Sequence, residues 1–155
     1  YSLSEASIAL LSKTVAPIEI TLFLQGDLNA GFERLQRATK ETIEEMSVYS
    51  DIHFSIEDLQ SSYNKEEAER MGMRPIVIHE RAQDGKTAQT TIYPYAIMQC
   101  NGKKAVVSLL KNTRGLSGEE NLNASIEQIE FAMMEALSLL QQTETPRIAI
   151  IEGHG

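Results

Sequence analysis

The sequence is short of the residues from which many small protein sites are built. It has one cysteine, Cys100, and no tryptophan among 155 residues. A single thiol excludes an intramolecular disulfide framework and a zinc site built on paired thiolates. Because Cys100 lies in a predicted strand just before a turn, we interpret it as a small packing residue.

Long apolar runs and metal-ligand patterns are also missing. No segment approaches the roughly 18 apolar residues that cross a bilayer, and no basic stretch with an apolar signal core begins the sequence. The three histidines, His53, His79 and His154, form no His-x-His or His-Glu-x-x-His pattern, and no glycine-rich phosphate loop is present. The sequence therefore predicts no metal site and no cofactor.

The charge balance is acidic. Aspartate and glutamate number 22 against 14 lysines and arginines, which gives a formal net charge of -8. This charge repels phosphate backbones and disfavours nucleic-acid binding. The other fractions, 42% hydrophobic and 23% charged, are typical of one globular domain with a sizeable core.

Apolar periodicity predicts a strand, a helix and a strand near the start of the chain. Apolar and polar residues alternate from Ile18 to Leu24, which is typical of a strand with one buried face. A stripe from Phe32 to Met46 at three- and four-residue steps predicts a helix, capped by Asp27 or Asn29. Alternation over residues 52–56 predicts the second strand.

The second half of the chain predicts shorter elements. A brief helix over residues 65–71 precedes a strand over 76–78 and one long extended stretch from Thr87 to Cys100. Pro94, which has no amide hydrogen, indicates an edge position or a bulge within that stretch. Asn101 and Gly102 supply the turn of a tight hairpin.

Helices are predicted at both ends of this pattern. A short helix over residues 4–12, capped by Ser2 or Ser4, precedes the first strand. Ser117 and Glu120 have capping-box spacing, and apolar residues then continue on one face for over five turns. We therefore predict one long final helix that ends near Leu140.

The predicted order of elements resembles the thioredoxin-like topology. We expect an α/β fold, a thioredoxin-like three-layer sandwich with a central mixed sheet and an added β-hairpin. Redox members of that class place Cys-x-x-Cys where the first strand meets the first helix, and this junction is Gly26-Asp27-Leu28-Asn29 here. Without thiols, disulfide exchange cannot operate there. Residues 1–144 show no catalytic constellation, so we predict that this domain is not an enzyme.

The last eleven residues predict the opening of a second domain. Residues 148–151 form an apolar run typical of a buried strand, and a glycine turn follows. We divide the chain into a first domain over 1–144 and the truncated start of an α/β domain over 145–155. Glu152 and His154 follow that strand, where α/β proteins bind ligands. They support an alternative, a hydrolase or amidotransferase-like enzyme whose site lies in the downstream domain.

Several collinear stretches carry a resemblance to a known family. They are Tyr1–Ser7, Gly26–Phe32 with Leu35, Ala38–Glu41, Tyr93–Lys103, Leu109–Asn112, Gly115–Ser117, Glu119–Glu127 and Ile150–Gly155. Together they resemble the gliding-motility-associated ABC transporter auxiliary family, often called GldG and described as substrate-binding-like.

The resemblance implies a membrane tether just before Tyr1 and a position on the extracytoplasmic, periplasmic side of the inner membrane. It also implies an ABC permease and an ATPase as partners, and a further domain after Gly155. With no catalytic constellation, it suggests a binding or scaffolding domain for an unknown ligand or protein.

Four polar residues of the last loop and helix are the predicted contact points. They are Asn112, Arg114, Asn121 and Asn123, although for each asparagine capping or loop hydrogen bonding is the favoured interpretation. A third hypothesis is a fold used for dimerisation through an edge strand, which would make the protein a homodimer.

Overall fold

The chain folds as a mixed α/β domain, as the alternation of strand and helix patterns predicts. A computed structural model describes residues 2–81, 85–111 and 114–142. The helices are α1 (Glu5–Ser12), α2 (Ala30–Met46), α3 (Leu59–Ser62), α4 (Lys65–Arg70), α5 (Gly118–Glu127) and α6 (Ile129–Leu140). The strands are β1 (Ile18–Leu22), β2 (Ile52–Ile56), β3 (Ile76–Arg81), β4 (Thr87–Ile92), β5 (Tyr95–Cys100) and β6 (Lys103–Ser108).

Four strands form a mixed sheet in the order β2-β1-β5-β6. β1 and β2 are parallel and joined by α2, whereas β5 is antiparallel to both β1 and β6. Asn101 and Gly102 have φ angles of 55° and 75°, which are the left-handed angles of a two-residue hairpin turn. The hairpin predicted at these two residues is confirmed.

The extended stretch predicted from Thr87 to Cys100 is two strands in different sheets. β4 pairs with β3 in a separate two-stranded sheet, and β5 belongs to the main sheet. Pro94 separates them, and across it the Tyr95 amide donates to the Tyr93 carbonyl at 2.8 Å. The prediction of one continuous strand was wrong. Proline has no amide hydrogen to donate to a neighbouring strand, and Pro94 lies in a tight turn.

Apolar side chains cover both faces of the main sheet. On β5, Ala96 and Met98 belong to a core cluster shared with α2 and α6, while Ile97 belongs to a second cluster. That second cluster contains Leu59 of α3 and Ala68 of α4. Because neighbouring strand residues point to opposite faces, helices pack on both sides of the sheet.

The final helix is broken into two. Gln128 lies between α5 and α6 with φ -103° and ψ 6°, and its amide donates to the Ala124 and Ser125 carbonyls. The buried Ser125 hydroxyl bonds back to the Asn121 carbonyl at 2.7 Å, a contact that tends to bend helices. The predicted single helix was wrong because no glycine or proline marks this break.

The α/β class and the mixed central sheet are confirmed, and β3 and β4 form a separate two-stranded antiparallel sheet. The thioredoxin-like assignment stays a prediction, and the predicted second domain over 145–155 lies outside the described residues. None of the helices in the described ranges combines the length and the apolar character needed to cross a membrane.

Candidate functional site

A groove lies between α1 on one side and α5 and α6 on the other. Its volume is about 410 Å³, within the range of about 300–1,000 Å³ typical of small-ligand pockets. The lining residues are Ser4, Ala6, Ser7, Leu10, Glu127, Glu130, Phe131 and Met134. We call this feature the α1–α6 groove.

Hydrogen bonds to Glu130 hold one wall of the groove in place. The Ser4 amide and the Ser7 hydroxyl both donate to Glu130 Oε2, at 2.9 and 2.6 Å. Ser4 is also the N-cap of α1, because its hydroxyl oxygen accepts from the Ser7 amide at 3.2 Å. A carboxylate at a helix N-terminus is favourably placed with respect to the helix dipole. Glu130 therefore fixes the start of α1 on α6.

The rest of the groove is apolar and open. Phe131 is 62% exposed, which is high for a phenylalanine. Leu10 and Met134 are half-buried beside it, and Glu127 is exposed at the end of α5. The groove can thus bury an apolar group of a partner and place a cation next to a carboxylate.

The polar groups of the groove are arranged as a helix cap. An activated serine nucleophile needs an adjacent general base, most often histidine. Ser7 instead donates to a carboxylate that is shared with the Ser4 amide. Across the described ranges, no three His, Cys, Asp or Glu side chains are grouped to hold a metal ion. In this groove the Ser7 hydroxyl and the Ser4 amide share one carboxylate oxygen and so serve the attachment of α1.

The predicted contact residues are only partly brought together. Asn121 is 7% exposed and its side-chain nitrogen donates to the Leu116 carbonyl at 3.5 Å. Asn123 accepts from Arg34 at 3.3 Å. Arg114 is exposed in a turn. Asn112, Glu152 and His154 lie outside the described residues.

The contacts around Asn121 anchor the loop before α5. Ser125, one turn further along α5, is 1% exposed and accepts from the Lys111 amide at 2.7 Å. It donates in turn to the Asn121 carbonyl. These hydrogen bonds hold the loop in place, which is the other role that the sequence suggested for the asparagines.

Sequence reasoning missed Arg34 as a partner of α5. Arg34 projects from α2 and bonds Glu119 at 2.8 Å in addition to Asn123. The charge pattern on α2 by itself indicates only a solvated face. Both members of the ion pair are well exposed, so its contribution to stability is about 0–1 kcal/mol.

The groove itself was also missed, although one signal pointed to it. The inward stripe of the last helices contains Ile129, Met133 and Leu137, which are all buried. Phe131 lies off that stripe. A large apolar residue on the otherwise solvated side of an amphipathic helix is a sign of an interaction surface.

Cys100 is buried in the core and agrees with its interpretation as a packing residue. It is 2% exposed, and burial raises the pKa of its thiol. Gln141 donates to its sulfur at 3.6 Å, which offsets part of that rise. The thiolate form is therefore disfavoured at neutral pH.

Comparison with known proteins gives one match. The model of a family described as a domain of unknown function, DUF7088, matches residues 1–99. Comparisons with curated proteins and with solved structures returned no match. The matched part runs from α1 into β5 and so includes one wall of the α1–α6 groove and all of β2. Because the match covers more than half of the sequence, this chain belongs to the DUF7088 family.

Proposed function

We propose that the domain is a non-catalytic binding or scaffolding module of an ABC transport system of the gliding-motility-associated type. In this proposal it acts on the extracytoplasmic side of the membrane and engages the permease subunit through the α1–α6 groove. The single observation that carries the proposal is the groove itself, with the exposed Phe131 beside a firmly attached α1.

The position of the groove in the chain suits a partner in the membrane. Ser4 lines the groove and is three residues after Tyr1. Because an extended chain spans at most about 3.6 Å per residue, three residues cover no more than about 11 Å. The family resemblance implies a membrane segment just before Tyr1, and in this proposal the groove therefore lies close to the bilayer and to the permease.

The chemistry of the groove defines the part of the partner that it would bind. Phe131, Leu10 and Met134 offer an apolar surface, and Glu127 offers an exposed carboxylate. A permease loop or short helix with an apolar side chain next to a lysine or arginine matches both features. Phosphate or anionic lipid does not match, because the domain carries a net charge of -8.

A pull-down of the membrane-tethered parent protein tests the proposal. We expect the wild type to recover the permease and ATPase, and Phe131→Lys to lose most of that recovery because it removes the apolar contact. Val77→Lys is the matched control, since Val77 is 47% exposed on β3, away from the groove. Failure of the wild type to recover either subunit, or equal recovery with Phe131→Lys, would contradict the proposal.

The enzyme alternative concerns Glu152 and His154, which lie outside the described residues. A longer protein that includes the downstream domain should be assayed with and without His154→Ala. Equal turnover by the two proteins would remove this histidine from any mechanism. A large loss of turnover would instead favour an enzyme over a scaffold.

A further inference from the structure

β2 is an edge strand with an open outer side. It pairs only with β1 in the described part of the chain. Its sequence, Ile52-His53-Phe54-Ser55-Ile56, contains no proline or lysine, the residues that commonly protect an edge. Phe54 is 36% exposed and Ile56 is 40% exposed. A regular edge with half-exposed apolar side chains is suited to strand pairing.

The backbone groups that face outward belong to the apolar residues. The Ile18 amide donates to the Asp51 carbonyl, and the Glu57 amide donates to the Leu22 carbonyl. In a parallel ladder, the residues that bond to the neighbour alternate with residues that face away from it. Because Asp51 and Glu57 face β1, the amides and carbonyls of Ile52, Phe54 and Ile56 face the open edge.

This edge is complementary to itself. We propose that two copies of the chain pair through β2 in an antiparallel arrangement, around a two-fold axis at Phe54. Phe54 then lies opposite the partner's Phe54, and Ile52 lies opposite the partner's Ile56. All outward-facing backbone groups form hydrogen-bonded pairs, and every apolar side chain of β2 meets an apolar side chain on the same face. The two four-stranded sheets become one continuous sheet.

A second copy of this chain fits the edge better than an arbitrary strand. The strand reads apolar-polar-apolar-polar-apolar in both directions, so an antiparallel copy needs no shift of register. Isologous two-fold contacts of this kind are the commonest in homo-oligomers. Val48 and Tyr49, in the turn before β2, are 69% and 36% exposed and add apolar surface beside the strand.

Size and charge predict a weak dimer. A pair of five-residue strands buries less than the roughly 1,200 Å² of a stable interface, so dimerisation should depend on concentration. At each end, Asp51 lies opposite the partner's Glu57, and these like charges repel. Added salt should therefore tighten the dimer.

Sedimentation equilibrium over a wide concentration range is the first test. We expect a monomer–dimer equilibrium for the wild type and at least about tenfold weaker dimerisation for Phe54→Lys, which places two cations at the axis. Phe131→Lys makes the same change at another exposed phenylalanine and should leave dimerisation unchanged. If Phe131→Lys abolishes the dimer and Phe54→Lys does not, the α1–α6 groove is the interface and the proposal fails.

Disulfide trapping tests the register independently of folding stability. Residues opposite each other in a hydrogen-bonded antiparallel pair have Cα atoms about 5.5 Å apart, which a disulfide can span. Phe54→Cys should therefore form covalent dimers under mild oxidation. Ser55→Cys is the control, because Ser55 lies opposite the partner's His53 and should cross-link much more slowly. Equal rates for both variants would contradict the register.

A strictly monomeric wild type at all concentrations and salt levels would overturn the proposal. In that case the edge of β2 would pair with another segment of the same chain or with a transporter subunit. Weaker association at high salt would also contradict it. Neither result bears on the permease proposal, because pull-down with Phe131→Lys tests a different surface.

Discussion

Ser7 and Glu130 are 123 residues apart in the sequence, yet the Ser7 hydroxyl donates to the Glu130 carboxylate at 2.6 Å. The same carboxylate oxygen accepts the Ser4 amide. Through these bonds one residue of α6 fixes the first turn of α1 and shapes the α1–α6 groove. Tertiary contacts therefore hold this wall of the groove in place. α1 needs them because an isolated helix of its length is only marginally stable.

We expect Glu130→Gln to loosen α1. The substitution replaces a charge-assisted hydrogen-bond acceptor with a neutral one and should lower the free energy of unfolding by about 1–2 kcal/mol. Amide hydrogen exchange in α1 should accelerate more than exchange in the sheet. Glu127→Gln removes a charge from the same groove outside this network and should have a smaller effect. Equal effects of the two variants would show that the charge, and not the bond to α1, matters.

The start of α5 should become less stable in acid. Ser117 and Glu120 form a capping box, in which the Ser117 amide donates to Glu120 at 2.9 Å. Two interactions lower the pKa of Glu120 from its usual value of 4.5. The bond from the Ser117 amide makes the larger contribution, and the Ser117 hydroxyl makes the smaller one. A lowered folded-state pKa stabilises the fold above pH 4.5, and that stabilisation is lost as the pH falls through the lowered value.

Hydrogen exchange of the α5 amides as a function of pH measures this effect. In the wild type, protection of the first turn of α5 should decline as the pH falls below about 4.5. Glu120→Gln cannot ionise, so this component of the pH dependence should disappear. An unchanged pH profile in Glu120→Gln would assign the effect to another carboxylate.

The hairpin between β5 and β6 should depend on the glycine of its turn. Gly102 has a φ of 75°, where a side chain costs about 1–2 kcal/mol. Gly102→Ala should lower the unfolding free energy by that amount in urea titrations. Gly118→Ala is the control, because Gly118 begins α5 and a methyl group there would meet no neighbouring side chain within 4 Å. It should be neutral or stabilising. Equal losses would contradict the turn explanation.

Cys100 should be chemically inert in the folded protein. Burial raises the pKa of its thiol, so little thiolate is present at neutral pH, and the side chain is 2% exposed. We expect a thiol-reactive dye to label it slowly in buffer and rapidly in urea. Rapid stoichiometric labelling of the native protein would reveal an accessible, reactive thiol and reopen the question of catalysis at this strand.

The elements that could be predicted from the sequence are those with local chemical signals. Asn29 caps α2 by accepting from the Phe32 amide, as one of two predicted candidates. The capping box at Ser117 and Glu120 and the turn at Asn101 and Gly102 also lie where predicted. In each case the signal and the structure are separated by no more than three residues. α3 was missed because four residues are too few to show a helical period.

Other features could not be predicted because distant residues decide them. α5 ends at Gln128, close to Ser125. The Ser125 hydroxyl accepts a hydrogen bond from the Lys111 amide and so joins two segments 14 residues apart. The groove depends on Ser7 and Glu130. The role of β2 as an edge strand depends on which side of β1 the antiparallel strand β5 occupies.

The sequence by itself determined the α/β class, most of the element order, the capping box of α5 and the hairpin turn, because backbone preferences and hydrophobic period act within a few residues. Only the tertiary structure decided which apolar side chains stay uncovered, among them Phe131 in the groove and Phe54 and Ile56 at the edge. An apolar residue is buried or exposed according to what packs over it. That neighbour usually comes from a distant part of the chain, so periodicity alone does not identify it.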